Sequence, residues 1–307
     1  MKSTQRILLP ILSLALAANF AFAAAPDSDI PQRKRQSPDA VRVVSANIRY
    51  LAKADIATGD NWDKRKEFAR DVLRAQDADI ICFQEFNNPH YDYLKGQFPD
   101  YEAFGFVERK EDGRKLNTVF YSKKRFETIA ADGAFLSATP DVYRSKFEES
   151  SQVRIVTRLH LRDRATGREL MIWNTHFDHR SSPARTKQAA VLVELAKKYS
   201  PNIGHIITGD LNCTQKTEAI KTIKAGGFID TYTALHGPAD PGYTFHGFKG
   251  HSYGKTHGKI DFVFCNDTLR PTVAEIIKDS RVIDGVRRYP SDHYFVSAEF
   301  EYAKPKK

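Results

Sequence analysis

The stretch Asp79-Ile-Ile-Cys-Phe-Gln-Glu85 sets an unbroken apolar run directly against an amide and a carboxylate, with no turn residue between them. A run without polar alternation predicts a strand covered on both faces, as in the interior of a layered α/β domain. At its end, Glu85 needs a partner, because an unpaired carboxylate is costly to bury. A metal cation or an Arg or Lys would serve; the alternative is a strand-end glutamate in water. An oxygen-only ligand suits Mg²⁺ or Mn²⁺ rather than Zn²⁺.

The same arrangement recurs along the chain. In Ile206-Ile-Thr-Gly-Asp210-Leu-Asn212, Gly209 permits a turn or a close approach, and the i, i+2 spacing can aim Asp210 and Asn212 the same way. A carboxylate beside an amide can orient a water and hydrogen-bond an in-line transition state. Pro290-Ser-Asp292-His293 precedes an apolar strand; its carboxylate could bind a metal while the imidazole reaches a phosphate oxygen or a proton. Lys259-Ile-Asp261 opens a hydrophobic strand that has no structural need for an acid, so Asp261 could hold His293 in one tautomer. Asn174-Thr-His176-Phe-Asp178-His179 packs four ligand-type residues into six, which invites a zinc reading. No cysteine or third histidine follows at zinc spacing, and phosphate contact by His176 is the expectation. Each motif alone also has a bland reading as a cap or a solvated loop.

Eight strands follow from the apolar runs: Val41 to Ser45 with its end at Asn47, 79–84, 117–121, 154–161, 170–175, 205–208, 260–264 and 295–300. Helices are expected over 62–75, after Ser182-Pro183 as N-cap and first-turn proline, and over 217–225, closed by Gly226-Gly227. Two sheets of mixed strands with helices on their outer faces account for this pattern. Asn47, Glu85, His176, Asp210 and Asn212 then all fall at C-terminal strand ends, where loops converge over one end of a core.

The flanks bound the setting. Lys2 and Arg6 precede an apolar run from Ile7 to about Phe22 that ends in Ala21-Phe22-Ala23, the pattern of a cleaved signal peptide over 1–23, with an uncleaved anchor as the alternative. Residues 24–40 have almost no apolar content and are expected to be a disordered leader before one domain over 41–303. The protein is thus expected to be secreted or periplasmic, with no transmembrane segment in the mature chain. The formal charge is +9, or +7 without Lys2 and Arg6, which favours polyanionic partners. Cys82, Cys213 and Cys265 are too few for a disulfide framework; buried thiols are expected, with a single disulfide as the alternative. Tyr243 to Lys259, rich in His, Gly and aromatics, is expected to overhang the site and to stack on a base or dip into lipid, or else to be a solvated loop.

Taken in order, the Asn47 strand end, Trp62-Asp-Lys-Arg65, Gln84-Glu85, Asn174-Thr-His176, Gly209-Asp210-Leu-Asn212, Lys259-Ile-Asp261 and Ser291-Asp292-His293 resemble the endonuclease/exonuclease/phosphatase superfamily, the DNase I-like phosphoesterases. The resemblance runs from about Val41 to Phe300. It implies a four-layer α/β sandwich with two packed mixed β-sheets and helices on the outer faces. It implies Glu85 as principal metal ligand for Mg²⁺ or Mn²⁺, with Asn47 and Asp292 close to the metal. It implies further that Asp210 activates water, Asn212 supports the transition state, His176 and His293 contact the phosphate and Asp261 orients His293. Some members carry an acid two residues after the first Asn; here that position is Arg49, which puts a second metal in doubt.

The expected function is hydrolysis of a phosphodiester, nuclease-like, by metal-assisted in-line attack of water. The alternative is a phosphatase or phospholipase C-like enzyme on phosphoinositides or sphingolipids. Nucleic acid is favoured over anionic lipid as substrate, and no stable protein partner is implied. A non-catalytic binding protein on the same fold would be favoured by missing site residues, and none is missing.

Overall fold

Because the central strands are apolar at successive positions, each must bury both of its faces, and the chain answers with four layers. The computed structural model describes residues 29–254 and 258–303; the expected signal peptide over 1–23 and residues 24–28 lie outside the described residues. In chain order the elements are β1 (Val41–Asn47), α1 (Ala54–Thr58), α2 (Trp62–Ala75), β2 (Ile80–Gln84), α3 (Asn88–Gln97), β3 (Tyr101–Gly105) and β4 (Thr118–Ser122). The second sheet begins with β5 (Phe126–Phe135), β6 (Ile155–Asp163) and β7 (Glu169–His176), followed by α4 (Ser182–Ala196), β8 (Gly204–Asp210) and α5 (Glu218–Ala225). Then come β9 (Ile229–Asp230), α6 (Thr231–His236), β10 (Asp261–Cys265), β11 (Leu269–Ile277), a β12 (Arg281–Ile283) and β13 (Val286–Arg288) hairpin, and β14 (Phe295–Tyr302).

One six-stranded sheet runs β11-β14-β1-β2-β4-β3 and the other β5-β6-β7-β8-β10-β9. Alternate side chains divide between cores, as the period of two requires. Val41, Val43, Ile80 and Cys82 meet Leu159, Ile172, Ile206 and Val263 between the sheets. Val44, Ile81 and Phe83 face outward onto Phe68, Val72 and Leu73 of α2. On the far side Trp173, Ile207 and Phe264 pack against Leu192 of α4 and Ile220 of α5. The result is the α/β sandwich expected from the sequence.

Each sheet contains one central parallel pair, and these pairs position the site. β1 runs parallel to β2 with Asn47 opposite Gln84, and β7 runs parallel to β8 with His176 opposite Asp210. β10 is antiparallel to β8 and brings Asp261 opposite Asp210. Chemistry-bearing strand ends from both sheets therefore share one end of the sandwich.

Two local expectations are corrected, and the expectation of buried thiols holds. Residues 29–40 are tied down rather than free of the domain. Ile30 is buried beside α2, Arg33 N donates to Ala75 O at 2.8 Å, and Arg35 pairs with Asp79 at 2.7 Å. The leader's polar composition hid these anchors because its arginines dock by charge and not by apolar burial. The N-cap of α4 is Ser181, whose side chain accepts from Ala184 N, so Ser182 is the first helical residue. Cys82, Cys213 and Cys265 are all buried free thiols, so no disulfide forms among them. Among the described residues no helix is long and apolar enough to cross a membrane.

Candidate active site

Asp210 closes β8 and is the hub of the cluster. Gly209 before it has φ +155°, and a Cβ there would lie 2.1 Å from Thr175 O, so the tight β7–β8 contact admits no side chain. One Asp210 oxygen accepts from Asn47 Nδ2 at 3.0 Å, across the gap between the sheets. The other accepts from Asn212 N at 2.9 Å. His176 Nε2 lies 3.5 Å and His293 Nε2 3.8 Å from the carboxylate. Burial, and after it the charge of Asp261, push the Asp210 pKa up to about 7.

His293 is held by Asp261, which lies 2.9 Å from Nδ1. Burial alone would lower its pKa, but Asp261, Asp210 and Asp292 outweigh burial and raise it to about 10, so the ring is an imidazolium at neutral pH. Asp210, Asp261 and His293 bring one ligand atom each within 4.8 Å of one another. A ring protonated on both nitrogens offers a cation no lone pair, so this trio is organised for protons. His176 differs: burial and then Arg154 hold it well below its ordinary value, hence neutral. Its Nε2 faces Asn212 Nδ2 at 2.9 Å, and that same amide nitrogen donates to Phe177 O at 3.1 Å. Nε2 is therefore the acceptor and the proton sits on Nδ1.

The candidate oxygen donors lie on the first sheet's side. Glu85, in the left-handed region at φ 59°, accepts from Tyr50 N at 2.7 Å. Burial and then the charge of Asp292 raise its pKa, so two carboxylates repel each other where a cation would relieve both. Asn47 offers Oδ1, which already takes Arg49 N at 3.0 Å. Hard oxygen donors of this kind fit Mg²⁺ or Mn²⁺. Arg49 occupies the neighbouring ground: it chelates Asp55 at 3.0 and 3.1 Å and reaches Asp292 at 3.3 Å.

Two further residues escaped the reading of the sequence. Arg65, 4% exposed, donates to the carbonyls of Ile48, Arg49, Asp60 and Pro290 at 2.6 to 3.0 Å, fastening the loop after β1 to the loop that carries Asp292. The motif Trp62-Asp-Lys-Arg65 contained this residue without revealing its task. Arg154, one residue before β6, is the other, and only its place at a strand end marked it.

The ligand-type residues of 174–179 diverge, which removes the zinc reading. Asn174 Nδ2 donates to Phe83 O, and Asp178 accepts from Ser151 N, Arg180 N and Ser181 N to organise loops. Nor does the 243–259 segment hang free over the site, as far as it is described. Thr244 and His246 are fully buried, His246 N donates to Asp292 O at 2.8 Å, and the Phe245 ring lies 5.1 Å from that of His293. Its residues 255–257 lie outside the described residues.

The model of the endonuclease/exonuclease/phosphatase family matches residues 44–293, which includes every strand end described above. The chain belongs to the endonuclease/exonuclease/phosphatase family. It is thus a hydrolase of phosphoester bonds, from a family that is generally dependent on divalent metals. Solved family structures cover it almost whole. A mannosyl-6-phosphatase of Bacteroides thetaiotaomicron is 26% identical with a TM-score of 0.76, over 85% of this chain and 100% of that one. A family protein of Bacteroides vulgatus is 28% identical with a TM-score of 0.75, over 86% and 99%. The 3'-5'-exoribonuclease subunit Ccr4 of the CCR4-Not complex of Emericella nidulans is 26% identical over 194 residues, which span 53% of this chain and 28% of that protein.

Proposed function

We propose that this family member hydrolyses a phosphodiester by in-line attack of a water that Asp210 deprotonates, with Mg²⁺ or Mn²⁺ at Glu85, Asn47 and Asp292. The observation that carries the reading is Asp210 itself, buried at the meeting point of Asn47, Asn212, His176 and His293, with its pKa near neutrality. A base with a pKa near the working pH combines the right protonation state with useful proton affinity. Asn47 and Asn212 fix the direction of its two oxygens. The His293 imidazolium, oriented by Asp261, presents Nε2–H where charge develops on the phosphate. Neutral His176 accepts from Asn212 and so steers that amide; direct donation by His176 to the phosphate uses its other tautomer. A cation held by Glu85, Asn47 and Asp292 would supply Lewis-acid neutralisation of the negative charge on the phosphate. As the water's oxygen bonds to phosphorus its proton passes to Asp210, and the opposite P–O bond breaks.

The net positive charge and the expected export, with mature protein in the periplasm or outside the cell, support a polyanionic diester such as nucleic acid. A second reading, a phosphatase acting on a sugar phosphomonoester, is favoured by the end-to-end likeness to the mannosyl-6-phosphatase. The deciding experiment gives the purified protein Mg²⁺ or Mn²⁺ and tests DNA, RNA, sphingomyelin, an inositol phosphate and mannose 6-phosphate, with EDTA and Glu85→Ala as controls. Turnover that survives both controls would remove the metal reading, and turnover of monoesters alone would choose the second one.

A further inference from the structure

Among the described residues, Arg154 is a buried cation with no ion-pair partner. It is 8% exposed, its Nε has no hydrogen-bond partner among them, and Nη2 meets His179 Nδ1 at 3.3 Å. A guanidinium can only donate, so His179 accepts at Nδ1 and is held neutral; burial and then Arg154 lower its pKa. Burial lowers the pKa of Arg154 too, against the pull of Asp210, Asp178, Glu85 and Glu108, none of which comes within ion-pair distance.

Position gives this cation its meaning. β6 pairs with β7 so that Val156 faces Thr175, which puts Arg154 at the same strand end as His176. The residue is built in from both sides, since Leu136 N donates to Arg154 O at 2.7 Å and Thr175 Oγ1 to Ile155 O at 2.8 Å. Burying an unpaired charge destabilises a fold, and such groups persist where a ligand completes them. A planar fork of donors matches the oxygens of a phosphate.

We propose that Arg154 binds a non-bridging oxygen of the substrate's phosphate, with His179 holding its guanidinium in place. The proposal rests on the phosphoesterase reading above for its substrate, and its test separates the two. The full protein loaded with Mn²⁺ is assayed with bis(p-nitrophenyl) phosphate and p-nitrophenyl phosphate, with inorganic phosphate as inhibitor and as the ligand in a thermal shift.

Arg154→Met should lower kcat/KM about 100-fold, in line with the loss of one transition-state donor. It should also weaken inhibition by phosphate roughly tenfold and abolish the phosphate-induced rise in Tm, while the Tm without phosphate and the half-saturating Mn²⁺ stay unchanged. A merely structural arginine would lower that Tm instead. Arg154→Lys keeps the charge and should lie between the two, which serves if the Met variant fails to fold. Inhibition and kcat/KM within twofold of wild type in the Lys or folded Met variant would overturn the proposal. If wild type hydrolyses neither ester, the phosphoesterase reading falls, and the phosphate-induced Tm shift alone decides on Arg154.

Discussion

Replacing Asp210 by Asn should slow turnover severely and reverse its effect on stability between acid and alkaline pH. In the metal-free protein the Asp210 pKa stands at about 7 against an ordinary 3.8, because of burial and then Asp261. About three pKa units correspond to roughly 4 kcal/mol between the two protonation states. For the sign, the folded chain keeps this proton where the unfolded chain has released it. The linked stability is therefore intact below pH 4 and lost progressively as pH rises to 7. Asn cannot ionise, so it escapes that loss. Against this, an amide has one oxygen where the carboxylate has two, and Asn212 N and Asn47 Nδ2 each use one. Losing one of these buried bonds costs about 1–2 kcal/mol. Asp210→Asn should then be less stable than wild type by about 1–2 kcal/mol at pH 4 and more stable by about 2 kcal/mol at pH 8. Urea unfolding in EDTA at pH 4, 6 and 8 measures the difference, and a loss of kcat of about 1000-fold should accompany it. A stability difference of constant sign across that range would refute the electrostatic account of the hub.

Three other expectations follow from neighbouring contacts. Arg65→Met strands four carbonyls that now receive a buried cation, and should cost about 3–5 kcal/mol in urea unfolding and raise the half-saturating Mn²⁺; an unchanged unfolding midpoint would contradict the stapling role. Calorimetry should find one Mn²⁺ per chain, because Arg49 already neutralises Asp292 and Asp55, and Arg49→Glu should admit a second ion; two ions in wild type would remove this role for Arg49. Burial and then Arg65 depress the His90 pKa to about 3, so below pH 6.5 the unfolded chain gains a proton that the folded chain refuses. Stability should fall on acidification by up to about 1.4 kcal/mol per pH unit from this group, and His90→Gln should flatten the slope measured between pH 4 and 6.

The eight strands readable in the sequence are the eight inner strands of the two sheets, and the four that escaped, β3, β5, β9 and β11, are the four sheet edges. Inner strands bury both faces and must be apolar throughout, which leaves a signal in the sequence. The edges do not: seven of the ten residues of Phe126–Phe135 are exposed or half-buried, and Leu269–Ile277 carries Pro271 at a bulge that only an edge tolerates. The acids, amides and histidines that end inner strands were legible for the same reason, since each interrupts an apolar run without a turn. Arg65 and Arg154 were not, because one sits inside an amphipathic helix and the other before a strand, where arginines are common. Burial alone sets them apart, and burial of a charge is invisible until the fold brings carbonyls to one and leaves the other waiting for an anion.

The site is assembled from two sheets, so its geometry depends on how they are keyed to each other. Glu85, Asn47 and Asp292 come from one sheet, and His176, Asp210, Asn212 and Asp261 from the other. An apolar interface between sheets is non-directional and would tolerate sliding. Just beneath the site, however, Gln84 Nε2 donates to Asn174 Oδ1 at 2.7 Å, and Asn174 Nδ2 returns a bond to Phe83 O at 2.8 Å. These groups are fully buried, so any shift of one sheet would leave amides unsatisfied in a low dielectric, at about 1–3 kcal/mol each. Neutral amides suit the position better than an ion pair, which would add another charge beneath carboxylates already raised in pKa. The lock lies one residue before Glu85 and two before His176, and Asn47 closes it from above by reaching Asp210. Amides at strand ends that read in the sequence as candidates for chemistry thus divide their labour: Asn47 and Asn212 bind the Asp210 carboxylate, while Gln84 and Asn174 hold the two halves of the site in register.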